Sequence, residues 1–166
     1  MASTYVPIAT YTIPSATPSY TFTTIPNTYT DLVLVGNYSF TGGTNYTVAQ
    51  VGNGSIDTGS NYSFTVLNGN GSSPSSYRDS NKTYMQLDTN LTGSAQAMSI
   101  LHFQNYANTS VYKTIMGRSS AAGSLVSAYV NLWRSTSAIN QIKIFDFSGN
   151  NLTAGSTFTL YGIKAA

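Results

Sequence analysis

The chain has 166 residues, of which seven are Lys or Arg, five are Asp or Glu and none is Cys. Only 7% of it is charged, against about 25% in an average soluble domain, and without Cys a disulfide framework is excluded. Hydrophobic residues make up 41%, which excludes ordinary disorder, and the length is that of a single domain spanning residues 1–166. The N-terminus MASTYVPIATYT lacks a signal-peptide pattern, and no segment approaches the apolar length of a membrane span.

The acidic residues are all Asp, and Glu is absent. Glu, Lys and Arg favour helices, whereas the abundant Ser, Thr, Asn, Gly and Tyr favour strands, edges and turns. We therefore expect essentially no helix. The net charge of +2 leaves the surface to hydroxyls and amides, and a low net charge favours association.

Short alternating runs between turn clusters predict strands along the whole chain, at the spacing typical of a sandwich or barrel. The first five predicted strands are Val6–Ile13, Tyr20–Ile25, Asp31–Tyr38, Thr44–Val51 and Tyr62–Leu67. The third of these is apolar on both faces near its middle, which indicates a central strand. The turn Asn53-Gly54 separates the last two.

The stretch NGNGSSPSSYRDSN at 68–81 predicts the longest loop, because it is rich in Gly, Ser and Asn. The strands expected after it are Tyr84–Asp88, Ala97–Tyr106, Val111–Met116, Leu125–Trp133, Ile139–Phe147 and Ser156–Ile163. So many short strands in one small domain predict an all-β fold, namely an antiparallel two-sheet β-sandwich. Jelly-roll topology is preferred over an immunoglobulin-like one.

Trp133 and Arg134 are neighbours on a predicted strand, so their side chains point to opposite faces. Leu125 and Tyr129 share the parity of Trp133. If that parity faces inward, Trp133 anchors the core and Arg134 reaches the outer face, where Asp146 or a subunit edge is a candidate partner. The alternative is that Trp133 belongs to a sugar-binding face, which a ring can form by stacking on a pyranose.

Catalytic residue sets are scarce in this composition. The chain has one His, His102, on a predicted strand, where a Ser-His-Asp site would need a distant Asp. Sugar cleavage by paired carboxylates would require the fold to gather two of five scattered Asp residues. We therefore expect no catalytic residues and no enzyme activity.

Metal and nucleic-acid sites are also poorly supported by the sequence. Asp79, next to Asn81 in YRDSNKT, is the one candidate for a weak calcium ligand, although such an Asp more often pairs with a neighbour such as Arg78 or Lys82. The seven cations are spread singly from Arg78 to Lys164, which disfavours nucleic-acid binding. No metal and no cofactor are expected.

Several segments resemble a module that recurs in small virion proteins and fibre termini of tailed bacteriophages, cyanophages among them. They are GSNYSFTVLNGNGSS (59–73), YANTSVYKT (106–114), LWRSTSAINQIKI (132–144), GSTFTLYGIKA (155–165) and the opening SYTFTTIPNTYTDLVLVG (19–36). The resemblance implies a virion component on the outer surface of the particle. It brings no catalytic residues, and Trp133, Arg134 and Tyr161 are motif positions without an assigned role.

Three functions are compatible with these observations. The first is a capsid decoration (cement) protein that stabilises the head shell, and the second is a tail, fibre or spike component with a receptor- or carbohydrate-binding surface. The third is a hydrolase such as a depolymerase. A chain without a heptad or collagen-like stalk favours decoration. The expected partners are copies of itself in a homotrimer, the major capsid protein or other virion proteins and, for the second function, a host surface glycan.

Overall fold

The computed structural model describes residues 4–88, 91–92, 95–121 and 123–164, and these contain strands but no helix. The first eight strands are β1 (Tyr5–Thr12), β2 (Ser19–Phe22), β3 (Asp31–Tyr38), β4 (Thr44–Asn45), β5 (Thr47–Asn53), β6 (Ser55–Ile56), β7 (Tyr62–Gly69) and β8 (Pro74–Lys82). The other seven are β9 (Met85–Gln86), β10 (Leu91–Thr92), β11 (Ala97–Phe103), β12 (Lys113–Ala121), β13 (Leu125–Trp133), β14 (Gln141–Asp146) and β15 (Thr157–Ile163). Among the described residues, no helix has the length and apolarity that crossing a membrane requires.

The strands form two layers. The larger sheet has the order β1-β15-β3-β11-β12-β13-β7-β8, and the smaller has β2-β14-β5-β6, with β9 also paired to β5. Strands β4 and β10 form a separate two-stranded ribbon. Every pairing between named strands is antiparallel. The expected all-β sandwich is therefore confirmed, whereas jelly-roll topology is not confirmed by these strand orders.

The predicted central strand lies where the sequence pattern places it. Strand β3 has the predicted bounds and pairs with β15 on one side and β11 on the other. Its residues Leu32 and Leu34 are buried in the core, and Val33, between them on the opposite face, is only 6% exposed. A strand covered on both faces reads as a continuous apolar run, which is what DLVLV shows.

The predicted loop at 68–81 is wrong for its second half, because Pro74–Lys82 forms the edge strand β8. It pairs with β7 from Gly69 opposite Pro74 to Tyr62 opposite Lys82. Nearly all its side chains are exposed, so no apolar alternation marks it in the sequence. Pro74 is tolerated because it stands at the first position of an edge strand.

Strand β12 also extends beyond its prediction, to Ala121 instead of Met116. The strand continues through Gly117. In the sheet this glycine lies opposite Tyr129, and a Cβ at this position would come 2.1 Å from Cε2 of that ring. The glycine therefore gives room to a core tyrosine.

In β13 the parity of Trp133 faces inward, which is the first of the two arrangements that the sequence left open. Tyr129 and Trp133 are 5% and 2% exposed, whereas Val126 and Val130, at the other parity, face out. Trp133 is thus a core residue, as predicted.

Arg134 reaches the opposite side from Trp133 but does not pair with Asp146. Its guanidinium donates to Ser63 Oγ at 2.8 Å, to Asn81 Oδ1 at 2.8 Å and to Ser60 O at 2.5 Å. The carboxylate of Asp146 instead accepts hydrogen bonds from the neighbouring backbone and Asn150. The suggested Arg134–Asp146 pair is therefore wrong, because the ends of β7 and β8 supply nearer acceptors.

We expect Trp133→Ala to lower the free energy of unfolding by about 3–5 kcal/mol, since it removes a large buried side chain and leaves a cavity. Arg134→Ala should leave the protein folded, because its three hydrogen bonds lie at the rim of the sheet. Denaturant unfolding of both variants measures the difference. A Trp133→Ala protein that unfolds at the wild-type denaturant concentration would contradict the core role.

Candidate functional site

The surface of the larger sheet that faces away from the core carries a group of exposed apolar side chains. Its members are Leu67, Met98, Met116, Val126 and Val130, which are 62%, 48%, 46%, 59% and 42% exposed. They lie on the four adjacent strands β7, β11, β12 and β13. We call these five residues the outer apolar face. Single exposed apolar residues need no explanation, whereas a group of them on neighbouring strands makes this surface a candidate for contact with a partner.

Few charged side chains accompany the outer apolar face. Arg118 lies between its members, on the row between Ile100 and Ala128, and Arg78 lies at its border, opposite Thr65. Towards β1 the same surface becomes polar, with a ladder of Thr hydroxyls in which Thr10 and Thr159 are 3.1 Å apart. One side of this sheet thus has an aliphatic half and a hydroxyl half.

A second surface group is aromatic and lies at the β8 edge of the sandwich. Tyr46, Tyr77 and Phe147 are 37%, 38% and 58% exposed, and Tyr84 is partly buried. We call these four residues the aromatic cluster. The Tyr84 ring lies 4.8 Å from that of Phe147, and both Tyr77 and Tyr84 pack on the buried Phe64, at 6.2 and 6.0 Å between ring centroids.

Asp79 and Lys82 border the aromatic cluster. Asp79 Oδ2 lies 3.3 Å from Lys82 Nζ, and the two side chains are 42% and 35% exposed. Of the roles considered for Asp79, the structure therefore shows the ion pair with Lys82. Among the described residues no group of three His, Cys, Asp or Glu side chains could hold a metal ion.

His102 does meet an aspartate. Its Nε2 lies 2.9 Å from Asp31 Oδ2, and Asp31 Oδ1 accepts a hydrogen bond from the Asn105 backbone N–H at 2.8 Å. Asn105 has a positive φ of 48°, so the carboxylate ties the turn after β11 to β3. In the described part of the chain, no Ser hydroxyl is recorded as a hydrogen-bond partner of His102.

Asp57 is a residue that the sequence reading missed. Its Oδ2 accepts hydrogen bonds from Trp133 Nε1 at 2.7 Å and Asn61 Nδ2 at 2.9 Å, and its Oδ1 accepts one from the Gly59 N–H at 2.8 Å. Burial acts to raise the pKa of Asp57, but these three hydrogen bonds outweigh it, and the pKa is lowered. A cleft of about 410 Å³ lies beside it.

The role of Asp57 is to hold the indole in place. Because Trp133 is only 2% exposed, its ring offers no face on which a sugar could stack. The structure therefore does not support the alternative in which Trp133 belongs to a sugar-binding face.

The outer apolar face had a signal in the sequence. Strand β13, LVSAYVNLW, carries apolar residues at both parities, and the outward set includes Val126 and Val130. A strand that is apolar on both sides is typical of one covered on both sides. The aromatic cluster had no such signal, because its members come from four separate segments of the chain.

No protein-family model and no curated protein matches this sequence. The resemblance to phage virion proteins therefore stays a prediction. The outer apolar face and the aromatic cluster are the two surfaces of the protein that bear on its function.

We expect Asp57→Asn to destabilise the protein by about 1–2 kcal/mol at neutral pH, because the amide cannot accept all three hydrogen bonds that the carboxylate accepts. The pKa of Asp57 is lowered in the folded state. Its contribution to stability is therefore complete above the unfolded pKa of about 3.9 and is lost as the pH falls through the folded pKa. Urea unfolding of both proteins from pH 7 to pH 2 should show the difference narrowing below about pH 4. A constant difference over this range would contradict the assignment.

Proposed function

We propose that this chain is a structural protein of a tailed-bacteriophage virion and acts as a capsid decoration protein on the head shell. The observation that carries the proposal is the outer apolar face, with five aliphatic or Met side chains 42% to 62% exposed on adjacent strands. Burying such a surface is favourable, at about 25 cal/mol for each Å² of apolar area removed from water. The sequence resemblance to virion proteins supports the same function.

A decoration protein stabilises a shell without catalysing a reaction. Contacts that exist only in the assembled particle add their binding free energy to the stability of the shell by mass action. An interface of about 800 Å² per partner is sufficient. We place the major capsid protein, or a neighbouring copy in a homotrimer around a local threefold axis, against the outer apolar face.

The low charge of the chain suits this kind of contact. Only 7% of the residues are charged, and the Lys or Arg ion pair among the described residues is Asp79–Lys82. Apolar burial and neutral hydrogen bonds are screened little by salt, whereas exposed ion pairs weaken as salt rises. Attachment through the outer apolar face would therefore persist at high ionic strength.

A tail, fibre or spike component is the second candidate. The observation that favours it is the aromatic cluster, since exposed rings beside polar groups suit recognition of a host surface. Both candidates place the protein on the outside of the virion.

Copy number separates the two candidates. Quantitative mass spectrometry of purified particles of the phage that encodes the chain should find on the order of hundreds of copies for a protein that follows the icosahedral shell. A few to a few tens would assign the protein to the tail or a fibre. Absence from the particles would overturn the proposal.

We expect Val126→Lys to weaken binding to particles by about tenfold or more, because it buries an unpaired charge in the contact. Val126 is 59% exposed, so the variant should fold. Thr10→Lys adds the same charge to the hydroxyl half of the same sheet surface and should bind normally. Co-sedimentation with particles lacking the protein measures both, and wild-type binding by Val126→Lys would exclude this face as the contact.

A further inference from the structure

The rings of the aromatic cluster are more exposed than residues that only fill the core. Phe64, at its base, is already 3% exposed and belongs to the core, whereas Phe147, which lies against Tyr84, remains 58% exposed. Tyr46 and Phe147 are held side by side by a backbone hydrogen bond from Phe147 N–H to Tyr46 O at 2.9 Å. Tyr46 therefore lies directly before β5 and Phe147 directly after β14, and Tyr77 lies within β8, so strand hydrogen bonds position the backbone at these three rings.

The polar groups next to these rings are the Tyr77 hydroxyl and the side chains of Asp79 and Lys82. Tyr77 lies opposite Val66, and Asp79 opposite Phe64, so both side chains face the same side of β8 as the core. Burial and the nearby Asp79 carboxylate raise the pKa of Tyr77 to about 12. Its hydroxyl therefore stays protonated at physiological pH and keeps a proton to donate. Asp79 supplies an acceptor and Lys82 a further donor at the border.

The edge of the sheet is open at this place. Strand β8 has no partner beyond β7 among the described strands, and a bulge between Tyr62 and Phe64 in the pairing brings Asn81 to a φ of 56°. Such a bulge bends the edge strand and redirects its side chains. A ligand could thus reach the rings from the side.

We propose that the aromatic cluster, bordered by Asp79 and Lys82, is a carbohydrate-binding site. Rings of Tyr and Phe stack on the C–H faces of a pyranose, and carboxylate, ammonium and phenol groups hydrogen-bond its hydroxyls. The outer apolar face has a different chemistry, since its five side chains are aliphatic or Met and carry neither rings nor charges, which suits a protein. The two surfaces therefore call for different partners.

This inference rests on the second candidate function and deepens it by naming the ligand class of the aromatic cluster, and the site would bind a saccharide whether the protein sits on the head or on the tail. It assigns the site to a ligand class, saccharides, and not to another protein. Its failure would leave the attachment through the outer apolar face untouched. Copy number in the particle and binding of saccharide are separate measurements.

The test uses the full chain and four defined probes: maltohexaose, cellohexaose, chitohexaose and xylohexaose. Ligand-observed NMR should detect at least one of them with a dissociation constant of about 1 mM or below. Phe147→Ala should weaken that binding about tenfold, the loss expected for one stacked ring. Asp79→Asn should weaken it as well, because the amide accepts hydroxyl donors less strongly than the carboxylate.

Tyr112→Ala is the matched control, since Tyr112 is 54% exposed and has no recorded ring contact with the aromatic cluster. It should bind the probe as the wild type does, and thermal melts should show that all variants are folded. Three results would overturn the site. They are no binding of any probe up to ~10 mM, equal binding by wild type and Phe147→Ala, or a Phe147→Ala protein that keeps its saccharide binding but loses attachment to particles.

Discussion

The two sheets of this sandwich differ in width, and this mismatch determines much of the surface. Eight strands face a smaller sheet, so the inner face of the larger sheet extends beyond its partner at the edges. Aromatic side chains cover the inner face of the larger sheet at both of these edges. At the β1 end, Tyr11 and Tyr20 stack at 4.1 Å with an angle of 5° between their planes, and at the β8 end Tyr77 packs on Phe64. Tyrosine suits this position because it has a broad apolar body and a tip that stays in water.

Because the chain has few charged residues, its buried polar groups are paired mostly by neutral hydrogen bonds. Asn131 of β13 and Gln86 of β9 exchange two hydrogen bonds, from Asn131 Nδ2 to Gln86 O at 2.9 Å and from Gln86 N–H to Asn131 Oδ1 at 2.8 Å. These two hydrogen bonds between the Asn131 side chain and the Gln86 backbone connect the two layers without an ion pair. Even Lys113, which is 1% exposed, donates to the backbone carbonyls of Val111 and Thr136. Burial lowers the pKa of Lys113, and the two carbonyls offset part of the desolvation of its ammonium group.

The sequence predicted strands correctly where buried residues leave an apolar run between turn residues, and it missed strands where the side chains are exposed. The bounds of β3 and β13 follow from such runs, whereas the inward direction of Trp133 needed the structure, because β13 is apolar on both faces. Strand β8 was missed because an exposed edge strand is held by hydrogen bonds to its neighbour and not by its own apolar side chains. The partners of Arg134 and the bonds from Asp57 to the indole depend on which loops the register brings together, and a single sequence does not carry that information.

The register also determines whether the two proposed contacts can form together. On β7, Leu67 points outward, and Val66, the residue before it, points inward and lies opposite Tyr77. Adjacent residues of a strand point to opposite sides of the sheet, so the outer apolar face and the aromatic cluster lie back to back across β7 and β8. A shell protein or second copy seated on the outer apolar face would therefore leave the rings uncovered. The edge formed by β7 and β8 would then contact the particle through its outer face and a saccharide through its inner face.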